Sequence, residues 1–85
     1  MKEPNNQKEL ALWYLLNYQE VTMKQVINDS LFFKFNTRLS ELENEYGVFT
    51  NKVRKTFLNR FKRGCSYLVY SIKDREKGLE LYNHL

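Results

Sequence analysis

The 85-residue sequence predicts one small α+β domain, mainly α: three helices, then a β-hairpin, then a short C-terminal tail or helix. Three observations predict it. A helix-start signature stands at Thr22–Gln25, an apolar stripe with helical spacing runs from Phe32 to Tyr46, and β-branched and aromatic residues dominate after Gly47. Hydrophobic residues at 42% and aromatics at 15% supply enough buried area for a chain of this length and argue against disorder. Three Gly and one Pro leave little room for long loops.

Residues 1–6 are polar, hold the sole proline, Pro4, and read as a short lead-in or cap. Residues 7–18, QKELALWYLLNY, are good helix formers with apolar residues on most sides. They predict a well-buried first helix with Leu10, Trp13, Tyr14, Leu15 and Tyr18 as core contacts. Thr22 with Gln25 three residues on makes a capping box, and Val21 and Val26 flank it as a hydrophobic staple. A second helix of about two turns follows over 23–29, with Val26 and Ile27 inward and turn chemistry in Asn28–Asp29–Ser30. Phe32, Phe35, Leu39, Leu42 and Tyr46 then share one face of a third helix, with Phe33, Lys34, Thr37, Ser40, Glu41 and Asn44 opposite and Arg38 on the flank. Gly47 is placed as its left-handed C-cap. VFTNKV and SYLVYSI read as two strands joined by a basic loop, RKTFLNRFKRG. The end, DREKGLELYNHL, reads as a short helix weakened by Gly78, with Leu79, Tyr82 and Leu85 on one face.

A tight turn between the second and third helices is the helix-turn-helix arrangement, and a hairpin directly after the third helix is a wing. The stretch from Val21 to Ile72, roughly sixty per cent of the chain, resembles the small winged helix-turn-helix proteins of bacteriophages and other mobile elements. VTMKQVIND, TRLSELENEYG, KVRK with NRFKRG, and YLVY carry the resemblance, through their order more than through any one of them. It implies reading of double-stranded DNA, by sequence or by shape, in the cytoplasm of a bacterial or phage-infected cell. Two departures stand out. FFKF, Phe32 to Phe35, puts bulky rings where polar readers are commoner, and Glu41, Glu43 and Glu45 sit awkwardly beside phosphates.

The formal charge is +4, but residues 47–64 alone carry +6 with no acidic residue. Such a concentrated field draws in phosphates. Lys52, Arg54, Lys55, Arg60, Lys62 and Arg63 are the cations, suited to contact the backbone or probe a narrow minor groove. Phe57, Leu58 and Phe61 interleave with them and are expected to fold the loop onto the core in preference to wedging or stacking on bases. On the third helix, Lys34, Thr37, Arg38 and Ser40 are the candidate base readers.

Catalytic chemistry is missing. His84, the one histidine, has no acid partner in view, and one Cys with one His cannot build a four-ligand zinc site. Cys65 reads as a packing residue, Glu41 and Glu45 as a solvated helix face, and no phosphate-cradling glycine loop is present. No enzyme, cofactor or metal is expected. A lone cysteine fits a reducing compartment. No secretory signal is read, and the longest apolar run, Leu10 to Leu16, is too short to span a bilayer. The leading expectation is a DNA-binding transcriptional regulator or recombination accessory factor. The alternative is a protein-interaction module that docks a host protein through Phe33, the acidic half of the third helix and the apolar tail. A homodimer fits either, with Leu79, Leu81, Tyr82 and Leu85 as its sticky surface or, equally, as a cover for the first helix.

Overall fold

In the computed structural model, which describes residues 3–84, the chain forms α1 (Gln7–Asn17), β1 (Val21–Thr22), α2 (Met23–Ser30), α3 (Phe35–Tyr46), β2 (Thr50–Leu58), β3 (Gly64–Ile72) and α4 (Arg75–His84). It is a small α+β fold of four helices and one three-stranded antiparallel sheet in the order β1-β3-β2. Met1 and Lys2 of the lead-in, and Leu85 of the tail, lie outside the described residues.

Asn6 starts α1 by accepting the Glu9 amide on its side-chain oxygen at 2.9 Å. The helix buries Glu9, Ala11, Leu12, Tyr14, Leu15 and Leu16. Leu10 and Trp13 are partly buried and pack against the core as expected, whereas Tyr18 is exposed, a correction to the expected core set. The physical reason is that α1 ends at Asn17: Tyr18 is its C-cap with extended backbone, so its side chain no longer follows the helix face that packs against α3 and α4.

Thr22 caps α2 as expected, its hydroxyl accepting the Gln25 amide at 3.1 Å, and Val21 and Val26 are both fully buried. The helix runs on through Asn28–Asp29–Ser30, which had read as the turn. Two interactions hold that last turn: the buried Tyr14 hydroxyl donates to Asp29 at 2.5 Å, and it lies 2.8 Å from the Ser30 hydroxyl. Leu31, at φ 55°, ends the helix instead. The connection to α3 is therefore the segment 31–34.

Phe35 is the first residue of α3, and Lys34 is its N-cap without a side-chain cap bond. Of the predicted stripe, Phe35, Leu39 and Leu42 are buried from the helix, Phe32 is buried from the connection before it, and Tyr46 is exposed. Gly47, at φ 69°, closes α3 as a Schellman cap. Its amide bonds to Glu43 at 3.1 Å and the Val48 amide to Leu42 at 3.2 Å.

The sheet departs from expectation in two ways. β1 was not foreseen: Val21 pairs with Tyr70 and Thr22 with Val69. The hairpin is also longer than expected. β2 continues through Arg54, Lys55, Thr56, Phe57 and Leu58, so most of the supposed basic loop is strand, and only residues 59–63 turn.

In α4, Gly78 is a close-packing position. A Cβ there would collide with Cδ1 of Ile72 and touch Leu12 and Leu16 at 3.4 Å. Tyr82 is fully buried and Leu81 partly so, which puts the tail to use covering α1; Leu79 stays exposed. Arg75 of α4 also donates to the Leu16 carbonyl at the end of α1. No helix among the described residues is long and apolar enough to cross a membrane.

Candidate nucleic-acid interface

The β2–β3 hairpin stands out from the body. Every residue of β2 after Thr50 is exposed. At the rise of an extended strand, Thr50 to Leu58 covers about 27 Å, a large share of the molecule's 47 Å long axis. The register sorts the cations. Lys52 faces Tyr70 and Arg54 faces Leu68, on the side that includes buried Tyr70, whereas Lys55 faces Tyr67 on the other side. Arg60, Lys62 and Arg63 occupy the turn. The six charges thus wrap the ribbon and do not form a flat patch. Lys55 meets Glu20 at 3.3 Å, and Arg54 donates to the Ser66 hydroxyl at 3.1 Å.

Asn59 organises the turn. Its side-chain oxygen accepts the amides of Phe61 at 2.9 Å and Arg63 at 3.1 Å, while its own amide donates to the Arg63 carbonyl at 3.0 Å. Lys62 takes the left-handed conformation at φ 60°, a position that favours glycine. The three apolar residues do not fold back onto the core, which corrects the sequence reading. Phe57 is 50% exposed, Leu58 70% and Phe61 69%. The strand alternation explains it: β2 lies at the sheet edge and leaves the body after Thr50, so its far half has no layer to pack against. Phe57 finds only the edge of Tyr67, at 5.7 Å between centroids, and Phe61 lies under the Arg60 guanidinium at 4.9 Å.

On α3, Lys34, Thr37 and Ser40 are exposed along one side of the first two turns. Arg38 is not beside them as a free reader. It makes a two-pronged bond to Glu41 at 2.6 and 2.7 Å and donates to Gln7 of α1 at 2.9 Å. That guanidinium holds the Glu41 carboxyl below the usual carboxylate range. Glu45 is occupied by Lys8 at 2.5 Å, so two of the three glutamates that seemed unfavourable beside phosphates are charge-paired. The FFKF run resolves in the same way: Phe32 and Phe35 face the core, and Phe33 alone of the three rings projects.

A groove of about 600 Å³ opens where α2 begins beside the hairpin, with Met23, Lys24, Arg54, Phe57, Tyr67 and Leu68 among its walls. It exists because β1 is two residues long: beyond Val69 no β1 residue pairs with β3, and residues 64–68 present an edge to the groove. Lys24 and the groove were missed in the sequence, because their place depends on β1, which has no periodicity to betray it. No group of three or more metal-binding side chains occurs among the described residues. Comparison with protein-family models, with curated proteins and with solved structures finds no match.

Proposed function

We propose that the chain is a winged helix-turn-helix protein that binds double-stranded DNA without catalysing a reaction. The order α1-β1-α2-α3-β2-β3, with β1 paired to the hairpin's second strand, supports the winged arrangement. In this reading α2 and α3 are the helix-turn-helix, β2–β3 is the wing, and α4 is an addition that covers α1. Lys34, Thr37 and Ser40 at the start of α3 meet base edges, and Arg38 orients α3 against α1. The observation that carries the reading is the projecting hairpin: six cations, no carboxylate of its own and, among the described residues, only Lys55 held in an ion pair. The setting is the cytoplasm of a bacterial or phage-infected cell, the role a transcriptional regulator or recombination accessory factor, and a homodimer reading two half-sites fits it.

The test is a fluorescence titration of random-sequence duplex at several salt concentrations. Five or six phosphate contacts give a slope of log K against log salt of about −4.5 to −5.5. Arg54→Ala with Lys62→Ala shrinks that slope by about 2. An unchanged affinity and slope in the double variant would sink the proposal.

A second reading is favoured by the groove beside β3. Its apolar walls, two cationic rim residues and open strand edge suit an extended, acidic segment of a host protein added as a further strand. It predicts a protein complex that survives nuclease and is lost with Tyr67→Asp; retention of the complex in that variant would count against it.

A further inference from the structure

We propose that the tip of the hairpin is a wedge that kinks duplex DNA, with Leu58 and Phe61 entering between adjacent base pairs. The inference rests on the reading of the hairpin as a DNA-binding wing and names what its tip does there. It begins from a conflict. A small protein gains nothing for its own fold by holding Leu58 at 70% and Phe61 at 69% exposure at the end of a ribbon. Gly64 stands directly across from Leu58, so no cross-strand side chain covers it, and the space at the Gly64 Cβ position is empty. Phe61 has the neighbouring Arg60 over its ring. Phe57 differs, because Tyr67 holds it against the ribbon.

The tip is hydrogen-bonded as well as apolar. Asn59 closes the turn by accepting the amides of Phe61 and Arg63 on its side chain and of Lys62 on its carbonyl, and by donating to the Arg63 carbonyl and the Cys65 sulfur, while Lys62 stands in the left-handed region. Two exposed apolar side chains thus share a short stretch of chain with Arg60, Lys62 and Arg63. The complementary surface has an anionic rim and a thin apolar interior, which is what a DNA base step offers: phosphates outside, stacked bases inside. Insertion there unstacks one step and bends the duplex, and it is least costly at flexible pyrimidine–purine steps such as TA. An anionic membrane has similar layers, but two apolar side chains bury too little area to anchor a protein in one.

The experiment uses the full chain and a duplex of about 25 base pairs, a length in the range of a bent site, with a fluorophore at each end and 2-aminopurine at a central TA step. Wild type is compared with a Leu58→Ser, Phe61→Ser double variant, each at saturation. The exposed positions leave the fold intact, which the melting curve checks. Wild type should bring the ends together and raise the 2-aminopurine signal. The double variant should bind within about tenfold of wild type, about 1.4 kcal/mol, and leave the duplex straight. Salt-dependent binding by wild type without bending or unstacking overturns the wedge and leaves DNA binding standing. Bending by the double variant equal to wild type also overturns it. Binding to vesicles of anionic lipid with none to duplex overturns both readings.

Discussion

Truncating Phe35 to Ala should destabilise the protein far more than truncating Phe33, two residues away in the same FFKF run. Phe35 is fully buried, whereas Phe33 is 64% exposed. The Phe35 ring meets three others edge-on: Tyr14 of α1 at 6.2 Å, Phe32 of the α2–α3 connection at 6.1 Å and Tyr70 of β3 at 5.6 Å. It is the point where the first helix, the turn and the sheet come together. Removing a buried Phe costs about 3–5 kcal/mol, and the edge-on geometry argues for the upper half of that range. A domain of this length has about 4–13 kcal/mol in total, so the variant stands near the limit of folding. Phe33→Ala should change stability by no more than about 0.5 kcal/mol. Urea unfolding followed by circular dichroism and by the fluorescence of Trp13 measures both. If Phe35→Ala does not fold, Phe35→Leu keeps most of the volume and should lose about 1.5 kcal/mol. A cost for Phe33→Ala above about 1.5 kcal/mol, or for Phe35→Ala below about 1 kcal/mol, would refute the assignment of one ring to the core and the other to solvent.

Alkaline pH should weaken the fold. Burial raises the phenol pKa of Tyr14, Tyr70 and Tyr82 above the ordinary value, helped at Tyr14 by its bond to Asp29 and at Tyr82 by the charge of Glu9. The folded state therefore keeps these protons longer than the unfolded one. Stability from this source is complete below about pH 10 and declines above it; a urea midpoint unchanged between about pH 8 and pH 11 would contradict this. Lys62→Gly relieves the left-handed strain in the turn and should stabilise by about 0.5–1 kcal/mol while lowering the salt slope of DNA binding by about 1; a loss of stability would show that the lysine is not strained there. Gly78→Leu should cost about 1–3 kcal/mol by forcing α4 away from Ile72, Leu12 and Leu16, and a melting temperature equal to wild type would mean that α4 does not need the close approach.

What was legible in the sequence was whatever follows from local chemistry. The Thr22 cap, the Val21 and Val26 pair, and the left-handed Gly47 are each decided within a few residues, and the structure has each of them. The third-helix stripe was read correctly for Phe35, Leu39 and Leu42, yet it ran one turn too far at the start. Phe32 is buried because the chain enters the core before the helix begins, and a burial pattern alone does not say which backbone carries it. The errors share another cause. β1 is two residues long, the inner face of α1 depends on α4, and Asn28–Asp29–Ser30 stays helical because Tyr14, distant in sequence, bonds to it. Each of these is fixed by a partner far along the chain. The candidate site divides in the same way. The cations of the hairpin were visible as a charge run, whereas the occupation of Arg38 by Glu41 and Gln7, and the groove walled by Lys24, needed the fold.

The hairpin is where stability and function part company. Elsewhere, several of the large aromatic residues close the core, though not Phe33, and some charges pair: Lys8 with Glu45, Arg38 with Glu41. From Asn51 to Arg63 both habits lapse. The rings and the leucine face water, and Glu20 answers one cation of six. Two strands in water hold together only marginally, and like charges along them oppose the pairing further. What keeps this ribbon formed is local: the Asn59 turn, the Phe57–Tyr67 contact and the Arg54–Ser66 bond. None of these explains why the sequence should concentrate charge and apolar surface on one thin projection. On the proposed reading, a polyanion with an apolar interior would offset both at once: it would neutralise the repulsion and, through its stacked bases, cover Leu58 and Phe61. A protein groove or a second copy of this chain would have to supply carboxylates and apolar area in that same arrangement. The features that weaken the isolated hairpin are therefore the strongest physical argument for the DNA ligand proposed above.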